Sequence, residues 1–484
     1  MATLPSLERS RLVDVALVGA SAFAGYLVAR SPLVLAAAAG LALGSWLLTH
    51  HFATTVIVLL VLRSSLDPFS GQNLTGALAL LIDLVTVLTV FTQLILRRPV
   101  GGDWFLVFLG SWIALMGLWP VAMQLGLLGL GPDEALRGYP TMFEQGVREW
   151  VRVVSYGMIY ALVMQLRDRI PPGRVVSLLL LSLVVPVTVA YLQAMVPGVL
   201  PPMLRVTQEN RLTGTLGHAD TFVTYLLLMV GLAWWKFREK RHWGWLVLIA
   251  LLIPPYVGTR TLSGVAMMLV FIAALLLPRL NVRTLALAGV ATAVFVAAFA
   301  SSPIGYERLQ SLRETPVFNG EFDPHKASVV AYQDGNSFSW RIAQWTYLVK
   351  AWERSPLLGH GLQTTPALTP FGNDAHNDYV RALAETGTVG LALFFALLGA
   401  IGARLVQIAR TSPPASSRRT LADVLLAVFA ALLVGMFADH YWKTTTFWFY
   451  WWTAMAVVGW TWPSDDTQVV QETTSVRALP VSRP

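Results

Sequence analysis

Along most of the chain the apolar residues come in long unbroken runs, without the alternation of period two that marks barrel strands. Crossing a hydrocarbon core of about 30 Å takes roughly 20 mostly apolar residues in a helix. Such runs recur from Leu12 almost to Pro463. Lipid offers the backbone no hydrogen bonds, so each run must satisfy its own N–H and C=O groups as a helix. The pattern predicts an all-α fold, a polytopic transmembrane helical bundle of about 12–14 spans. The first run is read as a retained span, and the second and third, near 33–48 and 52–62, are short enough to form one re-entrant pair. Late in the chain, 301–384 is far longer than an ordinary connection and reads as a helical extracytoplasmic subdomain. The expected organisation is therefore a transmembrane bundle over 1–300, that subdomain over 301–384, further transmembrane helices over 385–463, and a polar, disordered tail over 464–484.

The charges add an orientation. Basic clusters fall on alternate connections: Arg9 and Arg11, Arg97 and Arg98, then 167–174, 236–242, 278–283 and 404–419. Cytoplasmic loops of membrane proteins carry such excess, so these sides are inside and both termini are cytoplasmic. Only 13% of residues are charged and the mean hydropathy is +0.59. The net charge of +8 follows the membrane-flanking loops and points to lipid headgroups, with no nucleic-acid partner. With no cysteine, disulfides and thiol chemistry are excluded.

The opposite connections should be poor in basic residues, and the arginines they keep need another reason. Arg211 and His218 lie in "NRLTGTLGHAD", just before a span, among glycines that allow a ligand close to the backbone. Arg260 lies in "TRTLSG" beside three hydroxyl side chains. Its planar fork of donors suits a phosphate, and the neighbouring hydroxyls and amides suit the remaining oxygens. The plainer reading of both arginines is an anchor in the headgroups. Over 337–362 the spacing of Trp340, Ile342, Trp345, Leu348, Val349 and Trp352 predicts an amphipathic helix carrying Arg341. Its aromatic stripe reads as packing, and His360, between two glycines, as a turn residue without a chemical role.

In "DAHNDYVRALAETGTVGLALF", Asp374 is the expected N-cap of a helix starting at Ala375, with Thr386 its last residue and Gly387 its C′ glycine. His376 then sits in the first turn, where the helix dipole favours the neutral imidazole that a general base must be. A metal site from His360, Asp374, His376 and Asp378 has no recognised ligand spacing.

These segments resemble the O-antigen ligase and polymerase superfamily of bacterial membrane glycosyltransferases. The resemblance is carried by Trp340 and Arg341, by "SPLLGHGL", by "AHNDYVRALAETGTVGL", and by the arginine-bearing "RLTGTLGHAD" and "TRTLSG". It implies transfer of a glycan from an undecaprenyl-diphosphate carrier to the hydroxyl of a lipid- or glycan-linked acceptor, on the periplasmic face of the membrane, with inversion and without metal or other cofactor. Carried onto this chain, His376 would be the catalytic base and Arg211, Arg260 and Arg341 would hold the donor diphosphate, with Asn377, Tyr379 and His218 in supporting positions. The resemblance leaves ligase and polymerase open. From another class, a transporter or flippase of an anionic lipid-linked glycan would also receive a headgroup on outer arginines. It should carry ionisable residues along its midplane, where few stand here, Asp83 and Asp423 among them.

Overall fold

The computed structural model describes residues 46, 51–68, 74–95, 100–128, 142–206, 211–276 and 337–462, with scattered positions between 286 and 310. The first runs up to residue 45, the first half of the 301–384 subdomain and the 464–484 tail lie outside the described residues, as do the basic residues at 9, 11, 97, 98 and 278–283. The chain divides into two compact units at residue 58/59, and every candidate site residue lies in the second.

All regular structure among the described residues is helical. The α-helices are α1 Phe52–Leu62, α2 Leu74–Ile95, α3 Trp104–Met116, α4 Leu118–Gln124, α5 Met142–Met164, α6 Pro172–Leu181, α7 Val184–Met195, α8 Ala219–Lys240, α9 Gly244–Gly258, α10 Leu262–Leu276, α11 Ser337–Arg354, α12 Thr365–Leu368, α13 Asp378–Thr411, α14 Ser417–Gly435 and α15 Thr445–Gly459. Among the described residues three stretches are long and apolar enough to cross a bilayer: Trp104–Gln124, Pro172–Met195 and Asp378–Thr411. The protein is an all-α polytopic membrane protein.

Helix α15 shows where the core lies. Its sequence "TTFWFYWWTAMAVVG" is apolar on every face, and Trp448, Trp451 and Trp452 are fully buried, as expected of a helix surrounded by others. It packs on α5 and touches α8 and α14. Helix α14 in turn packs on α8, α10 and α13.

Polar ties fix this packing where hydrophobic contact alone would let helices slide. Asp103 caps α3 through Leu106 N at 2.9 Å and also accepts from Tyr160 of α5 at 2.9 Å and Arg404 of α13 at 2.6 Å. Arg404 opens one of the basic clusters assigned to the inside, yet it is only 8% exposed and serves this knot rather than a headgroup.

Candidate active site

The expected helix start at Ala375 is corrected by three residues, to Asp378. His376 adopts φ +46°, outside the right-handed helical region, so the helix cannot begin before it. The cap is Asn377, whose side chain accepts from the backbone N–H of Tyr379 at 2.9 Å and of Val380 at 3.0 Å. His376 therefore stands ahead of the helix, and the first-turn dipole argument for its neutrality does not apply. Asp374, expected as the cap, instead receives the ammonium of Lys443.

The other end of this segment is as expected: Gly387, at φ +65° and ψ −169°, interrupts the helix after Thr386, and a second helical stretch runs on to Thr411. The reason is the approach of the glycine turn 359–361. A Cβ on Gly387 would sit 2.3 Å from the Leu357 carbonyl, and one on Gly359 would sit 2.6 Å from that of Glu385. Backbone bonds from His360 N to Ala384 O at 3.1 Å and Gly361 N to Glu385 O at 2.8 Å join the two. His360 is buried with Nε2 2.7 Å from Ala351 O, in keeping with its reading as a turn residue. The predicted amphipathic helix appears as α11, and Trp345 donates from its indole to Ala375 O at 2.7 Å.

What sequence reasoning missed is the link between α14 and α15. Asp439 Oδ1 lies 2.8 Å from His376 Nδ1 and 2.9 Å from His440 Nδ1, and the two imidazole rings meet edge to face at 4.7 Å. Two more ties run beside this one: Lys443 to Asp374, and Asp378, which accepts from Trp442 N at 2.9 Å. The 374–378 segment is thus laced to 439–443 at three points. Tyr379 adds a fourth bond, from its hydroxyl to Leu433 O at 2.8 Å.

Electrostatics follow from this lacing. Burial would raise the Asp439 carboxyl, but the His440 charge and the contacts with both histidines hold it well below the usual carboxylate range. Burial would lower His440, and Asp439 outweighs it, so the His440 imidazole is raised. Asp374 would also rise on burial but is pulled down to about 2, chiefly by Lys443. An ionised Asp439 can only accept, so His376 Nδ1 must be the donor, and in the neutral ring Nε2 then carries the lone pair.

Of the three arginines, Arg211 is tied to this centre through Asp220, and Arg260 and Arg341 stand on segments that border it. Arg211 donates from Nε to Thr259 O at 3.0 Å and from Nη2 to Asp220 at 3.1 Å, which fixes the plane of its guanidinium. Arg260 stands between Thr259 and Thr261 at φ +58°, half-buried. Asp220 accepts from Ser263 at 3.3 Å and Ser263 from the Tyr441 hydroxyl at 2.9 Å, which leads directly to His440 and Asp439. His218 caps α8, its Nδ1 accepting from Asp220 N at 3.3 Å. Arg341 is half-buried on α11, next to Trp340, whose ring packs against His376 with centroids 5.4 Å apart.

Asp378 and Glu385, without a role from sequence, surround Arg381. It contacts Asp378 at 3.3 Å, Glu385 at 3.5 Å and Glu149 of α5 at 3.2 Å, all four side chains being buried. The four-residue metal arrangement weighed above does not assemble: His360 is turned to Ala351 O and Asp378 to Arg381 and Trp442.

Residues 245–395 match the family model described as O-antigen ligase. This match supports the resemblance of the chain to the O-antigen ligase and polymerase superfamily. No curated protein matches it. The matched O-antigen ligase segment contains Arg260, Arg341 and His376 but neither Arg211 nor Asp439, so the cluster joins residues inside and outside it. Members of this family are membrane-integral, glycosyltransferase-like enzymes, and lipid-linked glycans and membrane lipids are the partners the family implies.

Proposed function

We propose that the protein is an O-antigen ligase-like glycosyltransferase that moves a glycan from an undecaprenyl-diphosphate carrier to an acceptor hydroxyl at the extracytoplasmic face of the inner membrane. The observation that carries this reading is His376 Nδ1 held 2.8 Å from an Asp439 kept ionised. Nε2 takes the proton of the acceptor hydroxyl as its oxygen bonds to the anomeric carbon. The bond from that carbon to the phosphate oxygen breaks, and the diphosphate leaves with the electron pair. In-line attack inverts the anomeric centre.

The leaving diphosphate gains negative charge, and donors fixed beforehand stabilise it most at that stage. Arg211 is such a donor, since two bonds orient it before any ligand arrives. Arg260 and Arg341 complete the diphosphate site. Asn377, Tyr379 and His218 support it by capping and bracing the segments that carry the reacting groups.

The test uses purified protein and carrier-linked glycan. His376→Ala should lower turnover by about 10²–10⁴-fold, the usual contribution of a positioned base, while donor binding survives. Near-normal turnover overturns the assignment. Wild-type protein should form no product until a second acceptor is supplied; longer glycan from the donor alone would make it a polymerase instead.

A further inference from the structure

We propose that His376, Asp439 and His440 form a binding site for a divalent transition-metal ion of the zinc class, and that the bound ion switches the transferase off. One donor atom from each of the three side chains lies within 4.8 Å of the other two. The two Nδ1 atoms approach the same Asp439 Oδ1, at 2.8 and 2.9 Å. In a tetrahedral zinc site, ligand bonds of about 2.0–2.1 Å place neighbouring donors about 3.3 Å apart. Two of the three donor pairs are thus close to that spacing and the third lies within 4.8 Å, so small side-chain rotations would admit the ion.

A second observation concerns His440 alone. Its Nδ1 is buried and close to the carboxylate, yet the angles do not make a hydrogen bond. The carboxylate already accepts from His440's own backbone N–H at 2.9 Å and faces the His376 ring. The hydrogen-bond network therefore explains the position of His376 but not that of the second imidazole. Donor atoms that converge without a hydrogen-bond angle are what a cation site looks like.

The donor set selects the ion. Two imidazole nitrogens and one carboxylate favour zinc, copper or nickel over magnesium and calcium, which prefer oxygen throughout. Asp220 and His218 also come within 4.8 Å of the Asp439 donor, but Arg211 occupies Asp220, so the fourth position falls to water. The ties from Lys443 to Asp374 and from Trp442 N to Asp378 hold both donor segments in place.

The switch rests on the proposed role of His376. When Nδ1 bonds the ion, the proton it carried moves through solvent to Nε2, and the proton on His440 Nδ1 is released to water. A neutral ring bound through Nδ1 bears its hydrogen on Nε2 and has no lone pair left there for the acceptor's proton. Removing the ion restores the base.

Direct binding tests the site, and activity tests the switch. Tag-free protein in detergent, stripped with a chelator, is titrated with zinc chloride in a calorimeter. One zinc per chain is expected, undisturbed by excess magnesium. Cobalt(II) in place of zinc should give the visible bands of a four-coordinate site, lost on adding zinc. His440→Gln should weaken zinc binding by at least the roughly 10–100-fold that even an outer-shell change costs. In the transfer assay zinc should inhibit over the same concentration range, with recovery on chelation. Absence of stoichiometric zinc binding in the wild type, or unchanged affinity in His440→Gln, overturns the site. Zinc bound without inhibition overturns the switch. Calorimetry and cobalt spectra do not depend on catalysis, so failure of the transferase reading would be seen separately, as no turnover in metal-free protein.

Discussion

Asp439 is the residue on which the proposed base, His376, depends. Without its charge nothing dictates which nitrogen of His376 holds the proton, and an amide in its place can offer an N–H to Nδ1 and select the wrong tautomer. Asp439→Asn should therefore lower turnover by about 10²–10⁴-fold with little change in donor affinity, measured as a loss in kcat against an unchanged binding isotherm. His376 was legible in the sequence because it stands in a dense polar motif ahead of a span. Asp439 and His440 were not, because "DHYWK" is a short break between two apolar runs, far from His376 in sequence and without a spacing code. Only the contact between the 374–378 and 439–443 segments gives these residues meaning. The position of Arg211 was legible from its place against the charge rule, but not the Asp220 carboxylate that orients it.

At the scale of the element, hydropathy predicted helices well because every backbone in lipid must close its own hydrogen bonds. Helix ends were less legible. Asp374 and Asn377 are both good capping residues, and the choice between them was decided by the positive φ of His376 and by Lys443, neither visible in local sequence. The break at Gly387 was legible, by contrast, because the glycine was read as a left-handed position between two helical stretches and the helix is interrupted there. Gly387→Ala should cost about 1–3 kcal/mol for the left-handed φ alone. The Leu357 carbonyl, 2.3 Å from the added Cβ, makes the real cost larger. The expected outcome is a lower thermal unfolding midpoint in detergent together with reduced transfer, and a midpoint equal to wild type would contradict the packing described.

For the whole molecule, the absence of cysteine supplies a direct test of orientation. Single substitutions Gln363→Cys and Arg241→Cys place thiols beside the site and at the end of α8, on opposite sides of the membrane in the proposed topology. A membrane-impermeant maleimide added to intact spheroplasts should label the first and leave the second unlabelled until the membrane is opened. The reverse pattern would put the candidate active site on the cytoplasmic side. The buried Arg381 cluster belongs to this scale too. It ties α5 to α13 through charges that would be costly if either partner were removed, and it sits directly behind the segment carrying His376.

The lacing of residues 374–378 to 439–443 also has a consequence in time. A ribosome delivers the chain from its N-terminus, so α13 and His376 are made before the link that brings Asp439, His440 and Lys443. Until α14 and the link after it have been made and α15 has entered the core, His376 has no carboxylate, Asp374 no ammonium and Asp378 no Trp442 amide. The matched family segment ends at residue 395, yet the centre it contributes to is completed only by the last helical pair described. Completion of the site and completion of the bundle are thus one event, and on the proposed reading a partly made chain has no assembled base with which to act on a carrier lipid.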